Sequence, residues 1–142
     1  MTKRLVIFAL AVMTFAAAPH ALKAADADAL CPLGNATVRG AYMTQGTGSI
    51  VGVGPIFVVG VMTFDGKGTG VLTSTSSVNG VISRGTSSGP YTVNSDCTMT
   101  LTFSNGTHYD SVVVSDGSTG YWMETDTGTV LGGTVIRLGH QE

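Results

Sequence analysis

The sequence predicts an all-β protein, folded as an eight-stranded antiparallel up-and-down β-barrel. Turn dipeptides such as Asn79-Gly80 and Asn105-Gly106 recur along the chain, and Asn-Gly supplies the positive φ angles of tight hairpins. Between the turns lie threonine- and valine-rich runs of strand length, and no helix-period pattern follows residue 36. Strands joined by hairpins form a meander, and closing the meander into a barrel removes its two exposed edges. The alternative, a β-sandwich, needs a long crossover connection, which only residues 49–54 could supply.

The turn signals divide the chain into eight predicted strands. Their approximate bounds are 37–48, 55–65, 68–78, 80–94, 97–104, 107–115, 118–126 and 129–138. We expect a bulge or bend in the long fourth strand near Gly85 to Gly89, because glycine weakens a strand interior. The fifth strand has the clearest register, since Met99, Leu101 and Phe103 alternate with threonines. That alternation predicts that the three apolar side chains point inward and line the lumen, where they are the candidate ligand-binding residues.

Residues 1–27 have the three parts of a secretory signal peptide. Lys3 and Arg4 form a basic n-region, and residues 5–18 form an apolar h-region. Ala25-Asp26-Ala27 fits the cleavage pattern, and a cut two or three residues earlier fits as well. The apolar run is shorter than the ~20 residues that cross a bilayer, which disfavours a membrane anchor. We therefore expect export to the periplasm or the extracellular space, with no membrane span in the mature chain.

The chain after the signal peptide has the size of a single domain. We divide it into a short N-terminal segment, 28–36, a β-barrel domain, 37–138, and a C-terminal tail, 139–142.

This part of the chain carries few charges. Its basic side chains are Arg39, Lys67, Arg84 and Arg137, against eight carboxylates, which gives a net charge of −4 with the histidines neutral. Proteins that bind phosphate backbones or anionic lipid present a basic patch, and this sequence has none. We therefore expect no nucleic-acid partner, and we find no motif that calls for a cofactor.

The mature chain holds two cysteines, Cys31 near its start and Cys97 at the entry of the fifth strand. Cysteines of exported proteins usually pair, so we expect a disulfide that ties the N-terminal segment to the sheet. The alternatives are a metal site and a catalytic thiol. Two cysteines without a Cys-x-x-Cys spacing or a nearby histidine make a poor zinc site, and we expect no metal. No basic partner for a nucleophilic thiol lies near either cysteine in the sequence.

The second predicted strand, 55–65, is apolar on both faces. Such a strand is normally covered on both faces. The N-terminal segment, held by the disulfide, could supply the outer cover, and so could a second copy of the chain in a homo-oligomer.

Four segments of the mature chain carry recognisable motifs in a fixed order and spacing. They are VRGAY at 38–42, GVMTFDGKG at 60–68, GPYTVNSDCT at 89–98 and TDTGTVLGG at 125–133. Together they resemble a group of small exported bacterial proteins of the allene-oxide-cyclase-barrel type, a calycin-like fold. The resemblance implies an eight-stranded barrel and a Cys31–Cys97 disulfide. Plant cyclases of this fold class act on fatty-acid-derived epoxides in the lumen, but no motif here matches their catalytic residues.

Four polar side chains on strands are the catalytic candidates: His108, Asp110, Tyr121 and Glu124. His108 and Asp110 are two residues apart and share a strand face, which is an arrangement for an oriented base. The alternative is a solvated pair beside the Asn105-Gly106 turn. Glu124 shares a face with Trp122, whose apolar ring would favour a protonated carboxyl, and its alternative is a surface acid.

Two functional hypotheses follow from these residues. The first is a non-catalytic exported barrel that binds a small apolar ligand or serves as an envelope or extracellular structural module. The alternative is a lumen cyclase or isomerase acting on a lipid-like small molecule. The sequence favours the first, because no catalytic motif accompanies the four candidate residues.

Overall fold

Eight antiparallel strands form a closed barrel in the computed structural model, which describes residues 29–139. A short 3-10 helix, Gly34–Thr37, precedes the strands β1 (Gly40–Ile50), β2 (Gly54–Phe64), β3 (Thr69–Val78), β4 (Val81–Val93), β5 (Thr98–Thr102), β6 (His108–Val113), β7 (Thr119–Glu124) and β8 (Thr129–Arg137). Each strand pairs with its sequence neighbours, and β1 pairs with β8. The predicted up-and-down barrel is therefore confirmed, and the sandwich is excluded. The predicted signal peptide lies outside the described residues.

The strand bounds follow the turn chemistry of the sequence. Asn79 and Gly80 have φ values of 46° and 86°, which are the left-handed angles of a two-residue hairpin. The predicted interruption near Gly85 to Gly89 is wrong, because β4 runs unbroken from Val81 to Val93. Its two edges are paired over different lengths: β3 pairs with Val81 to Pro90 on one edge, and β5 pairs with Tyr91 to Val93 on the other. Proline has no N–H to donate to a ladder, and the β5 register pairs begin directly after Pro90.

One side of the barrel is taller than the other. Strands β1 to β4 contain 10 to 13 residues, whereas β5, β6 and β7 contain five or six. The β3–β4 hairpin therefore rises above the short strands at the end of the barrel that carries the Asn79-Gly80 turn. We call this the open end, and we call the opposite end, which carries the N-terminal residues, the closed end.

The join between β4 and β5 is the shortest ladder in the ring, and we call it the β4–β5 seam. It has three register pairs, at Tyr91, Thr92 and Val93, whereas the other ladders have five to eleven. The Ser88 carbonyl accepts one further bond, from the Ser104 N–H at 2.8 Å. Above Ser88, β4 has no neighbour on this side within the part of the chain that the structure describes.

Three aromatic rings fill the barrel at its closed end. Phe64 packs edge-to-face against Tyr42 and Tyr91, with ring centroids 5.4 and 4.9 Å apart. All three side chains are buried. Edge-to-face pairs add to the free energy gained from burial alone. The three packed rings close one end of the lumen.

The N-terminal cap, residues 31–38, lies across this aromatic cluster. Cys31 forms a disulfide with Cys97, as predicted, over a sequence separation of 66 residues. The Tyr91 hydroxyl donates to the carbonyls of Asn35 and Val38 at 3.0 and 3.2 Å. Because the cap's backbone bonds directly to core side chains, it is part of the barrel end.

The closed end also holds an arginine. Arg137 donates to the Tyr42 hydroxyl and to the Thr37 carbonyl. The Tyr42 hydroxyl in turn donates to the Gly117 carbonyl at 2.8 Å. These bonds satisfy buried polar atoms where the cap, β1, β8 and the β6–β7 turn meet.

The outer face of β2 is not covered by the cap. Phe57, Val59 and Val61 point outward and are 48%, 42% and 43% exposed. The expectation that the N-terminal segment covers this face is wrong, because the cap is held at the closed end by Tyr91 and the disulfide. Association of two copies through β2 stays a prediction.

Candidate ligand-binding lumen

An apolar cavity of about 60 Å³ lies inside the barrel. Its lining comes from seven strands and the residue after β5: Thr44, Val58, Met62, Phe64, Leu72, Met99, Leu101, Phe103, Tyr109, Ser111, Trp122, Leu131 and Val135. Alternate residues of each strand face inward, so the two-residue period of the sequence builds the wall. Among residues 29–139, no charged side chain lines the cavity.

The inward residues of β5 are those that the alternation predicted. Met99, Leu101 and Phe103 are buried and line the cavity. Their role as ligand contacts is a proposal that depends on what the cavity binds.

The polar atoms of the wall are largely satisfied by one another. The Trp122 indole N–H donates to the Thr44 hydroxyl at 3.1 Å, and that hydroxyl donates to the Thr134 carbonyl at 3.1 Å. A satisfied hydroxyl has less to gain from a polar ligand. The surface offered to a ligand is therefore mainly aliphatic and aromatic carbon.

A row of aromatic rings runs along one wall. Phe103 packs edge-to-face against Tyr109 with centroids 5.5 Å apart, and Tyr109 packs against Trp122 at 5.6 Å. Such rings keep their orientation, because each is held by its neighbour as well as by its own strand. The wall is therefore preformed.

Glu124 stands on the inward face of β7, one step above Trp122 toward the open end. The Tyr109 hydroxyl donates to Glu124 Oε2 at 3.3 Å, and both side chains are half-buried. Burial raises the pKa of Tyr109 to about 12, and the nearby Glu124 carboxylate adds to the effect. Tyr109 is thus a neutral hydrogen-bond donor at any ordinary pH.

The other three predicted catalytic residues lie on the outer face. His108, Asp110 and Tyr121 are exposed, and Tyr121 is 69% exposed. The structure therefore separates them from Glu124 by the thickness of the sheet. It does not bring the four candidates together around the lumen.

His108 has a carboxylate partner, but that partner is Asp126 and not Asp110. His108 Nδ1 lies 2.7 Å from Asp126 Oδ1, and the His108 N–H donates to Asp126 Oδ2 at 2.9 Å. The hydrogen bond from the His108 side chain lowers the pKa of Asp126 below its ordinary value. The pair fastens the β7–β8 turn to the start of β6 on the outside of the barrel.

Sequence reasoning missed several residues of the lumen. Thr44, Tyr109, Ser111 and Trp122 line it, although none carried a motif. The signal was the same alternation that placed Met99, extended to the neighbouring strands by the register pairs Met99–Ser111 and Ser111–Trp122. Those pairings depend on turn lengths, which the sequence gives only to within a residue or two.

Two other kinds of site are absent from the described chain. Within residues 29–139, no group of three or more His, Cys, Asp or Glu side chains is placed to hold a metal ion. Over the same residues, no helix is both long and apolar enough to span a bilayer.

Comparison with known proteins gives similarities of fold only. No family model matches the chain, and no curated protein matches it significantly. Among solved structures, it is similar to a redesigned β-barrel, mFAP0, bound to DFHBI, at 19% identity and a TM-score of 0.45 over 71% of this chain and 99% of that one. A second designed protein, a de novo fluorescence-activating β-barrel, matches at 13% identity and a TM-score of 0.44 over 72% and 94% of the two chains.

A natural protein is also similar, the S-type phycobiliprotein lyase CPES from Guillardia theta. It matches at 9% identity and a TM-score of 0.41 over 75% of this chain and 92% of the lyase. At these identities and scores, the similarities carry no information on the function of this chain.

Proposed function

We propose that this protein is an exported, non-catalytic β-barrel that binds a small apolar ligand in its lumen. One observation carries the proposal: the described residues that wall the cavity have aliphatic, aromatic, thioether and hydroxyl side chains, and none of them is charged. Binding in such a site is driven by removing apolar surface from water, and a few placed polar groups fix the ligand's orientation.

The size of the cavity restricts the ligand. Its volume of about 60 Å³ is below the roughly 300 Å³ at which pockets for drug-sized ligands begin. The ligand is therefore narrow, or it displaces the flexible side chains of Met62 and Met99, which line the cavity. A straight alkyl chain that enters from the open end fits this restriction, because it is both narrow and apolar.

The disulfide indicates that the protein matures outside a reducing cytosol. Disulfides persist in oxidising compartments, and Cys31–Cys97 is buried in the closed end. Together with the signal-peptide pattern of residues 1–27, this supports export to the periplasm or the extracellular space.

The proposal is tested with decanol, a neutral ten-carbon alcohol, and the variant Ser111→Leu. Trp122 lies on the lumen wall and is the only tryptophan in the chain, so its fluorescence reports on occupancy. We expect decanol to shift the Trp122 emission and to bind the wild type with a measurable heat. Leucine at position 111 fills the cavity, so binding should weaken by at least tenfold, which corresponds to about 1.4 kcal/mol.

Val112→Leu is the matched control, because Val112 is the next residue of β6 and points outward. The control should bind decanol as the wild type does. If Ser111→Leu and the wild type bind decanol equally, the ligand does not occupy the lumen and the proposal is wrong. Native mass spectrometry of the exported protein would reveal a co-purified apolar ligand, and it would also report whether two copies associate through β2.

The alternative, a lumen cyclase or isomerase for a lipid-like molecule, has one observation in its favour. Glu124 and the Tyr109 hydroxyl form an acid–base pair at the lumen's edge. With His108 and Asp110 outside, a reaction in the lumen would have one carboxyl available to it. We expect no accelerated conversion of a fatty-acid-derived epoxide, and turnover that Glu124→Gln abolishes would establish the alternative.

A further inference from the structure

Within the described residues, the inward face of the strands has one charged side chain at the open end, and that side chain is acidic. Among the strand residues that the structure describes, Glu124 and Arg137 are the charged residues of the inner register. Arg137 lies at the closed end and is bonded to Tyr42 and Thr37. For a molecule that enters from the open end, Glu124 is therefore the first charged side chain of this inner register.

Glu124 is positioned by the wall of the lumen itself. Its Oε2 accepts from the Tyr109 hydroxyl, and the Tyr109 ring lines the cavity. Trp122, two residues earlier on β7, lines the cavity directly below Glu124. The carboxylate therefore lies next to the apolar wall of the lumen formed by Tyr109 and Trp122. A carboxylate accepts up to about four hydrogen bonds, so Tyr109 leaves Glu124 with unused capacity.

The surroundings of the open end do not offset this negative charge. Asp126 and Asp110 are further carboxylates on the outer side of the same end, and His108 is bonded to Asp126. Of the four Lys and Arg residues that the structure describes, Arg84 belongs to the outward register of β4. The others, Arg39, Lys67 and Arg137, belong to the closed end. A fatty-acid carboxylate in the lumen would place its charge beside Glu124, and no Lys or Arg among residues 29–139 lies on the inner register there to pair with it.

We propose that the ligand is an amphiphilic amine, whose apolar chain occupies the lumen and whose ammonium group donates to the Glu124 carboxylate at the open end. This inference rests on the lumen being the binding site, and it adds the chemical class of the head group. An ammonium beside a half-buried carboxylate gains a charge-assisted hydrogen bond. A carboxylate head group in the same place is repelled, which gives discrimination by charge.

The test compares three probes that share one ten-carbon chain: decylamine, decanol and decanoate, each below the concentration at which it forms micelles. At neutral pH and low ionic strength, we expect affinity in the order amine, alcohol, acid. Glu124→Gln keeps the size and removes the charge. It should weaken decylamine binding by roughly tenfold, the size of a hydrogen bond to a charged group, and leave decanol unchanged.

Asp110→Asn is the matched control, because it removes a carboxylate from the outer face of the neighbouring strand, β6. It should leave decylamine binding as in the wild type. Equal weakening by the two variants would mean that the amine responds to the net charge, and the inference would be overturned.

The remaining outcomes separate the inference from the proposal beneath it. If the three probes bind equally well and Glu124→Gln changes none of them, the lumen binds apolar chains without reading the head group. The inference then fails while the proposed function stands. If none of the probes binds, both fail. Retained decanol binding by Glu124→Gln shows that the variant is folded.

Discussion

At the scale of single residues, the shape of the lumen depends on where a side chain is missing. Gly46 faces inward on β1, and a methyl group added there would overlap the Trp122 ring. The absent side chain therefore leaves room for the edge of the indole beside β1, where its N–H donates to the Thr44 hydroxyl. A polar contact 78 residues apart in sequence thus depends on a glycine that takes no part in it.

We predict that Gly46→Ala destabilises the fold by about 1–3 kcal/mol, the usual cost of overpacking a filled interior. The Trp122 ring has to move toward the cavity, so its emission spectrum should change as well. Chemical denaturation followed by fluorescence measures both effects. Gly85→Ala is the control, because Gly85 lies in β4 with open space around its Cα. That substitution should be neutral or stabilising, and an equal loss in both variants would contradict the explanation.

At the scale of elements, the three hairpin turns of the closed end share one device. Asp65, Asp96 and Asp116 each accept the backbone N–H two residues further on, at 2.7, 3.0 and 2.8 Å. These hydrogen bonds, from backbone and neighbouring hydroxyl groups, lower the pKa of all three carboxyls. The closed end is therefore held partly by bonds to ionised side chains.

We predict that the protein loses stability in acid as these turns protonate. A carboxyl with a lowered native pKa stabilises the fold above its ordinary value of 3.8, and that stability is lost as the pH falls through the native value. The melting temperature should therefore be level above about pH 5 and fall steadily below about pH 4. Asp96→Ala should lower the melting temperature at neutral pH and reduce the slope in acid.

Asn105 provides the matched neutral turn for this prediction. Its side-chain oxygen accepts from the N–H and the hydroxyl of Thr107, as Asp96 does from Thr98. Asn105→Ala should lower the melting temperature by a similar amount at every pH. If it flattens the acid slope as Asp96→Ala does, charge in the turns is not the cause.

At the scale of the whole molecule, the Cys31–Cys97 disulfide cross-links the start of the cap to the barrel. In the chain-entropy model, a disulfide that closes a loop of 66 residues stabilises the fold by ~4 kcal/mol. The same bond holds the cap over Tyr42 and Tyr91, so its loss also weakens the hydrogen bonds that close this end.

We predict that reductant lowers the free energy of unfolding of the wild type by ~4 kcal/mol. The paired variant Cys31→Ser with Cys97→Ser should match the reduced wild type, and reductant should not change it further. Urea denaturation with and without reductant measures both proteins. A paired variant as stable as the oxidised wild type would show that the hydrogen bonds of the cap suffice without the disulfide.

The fold could be predicted because its signals are local. Asn79-Gly80 and the similar dipeptides mark the ends of strands, and the alternation around Met99 predicts which face is buried. The short β4–β5 ladder could not be predicted, because it depends on the different lengths of the two strands, 13 residues in β4 and five in β5. The His108–Asp126 pair could not be predicted either, because its two residues are 18 positions apart. They are brought together by the register that joins β6 to β7.

For the outer face of β2, the sequence pattern predicted burial that the structure does not show. Its sequence implies cover on both faces, yet Phe57 and Val59 remain exposed. A strand that is apolar on both faces gains free energy from burial on both faces, but its sequence does not identify the surface that would cover the outer one. That information lies outside any single strand.

The β4–β5 seam is the place where the barrel wall is expected to open most readily. A ring of ladders separates first where the fewest bonds hold it, and here three register pairs join strands that elsewhere share five or more. Parting these strands from the open side widens the wall beside Leu101 and Phe103, while the Cys31–Cys97 disulfide and the bonds of Tyr91 and Val93 to the cap hold the other end of the seam. The rate at which the lumen exchanges its contents with the surroundings would then be set by a short stretch of backbone beside Pro90.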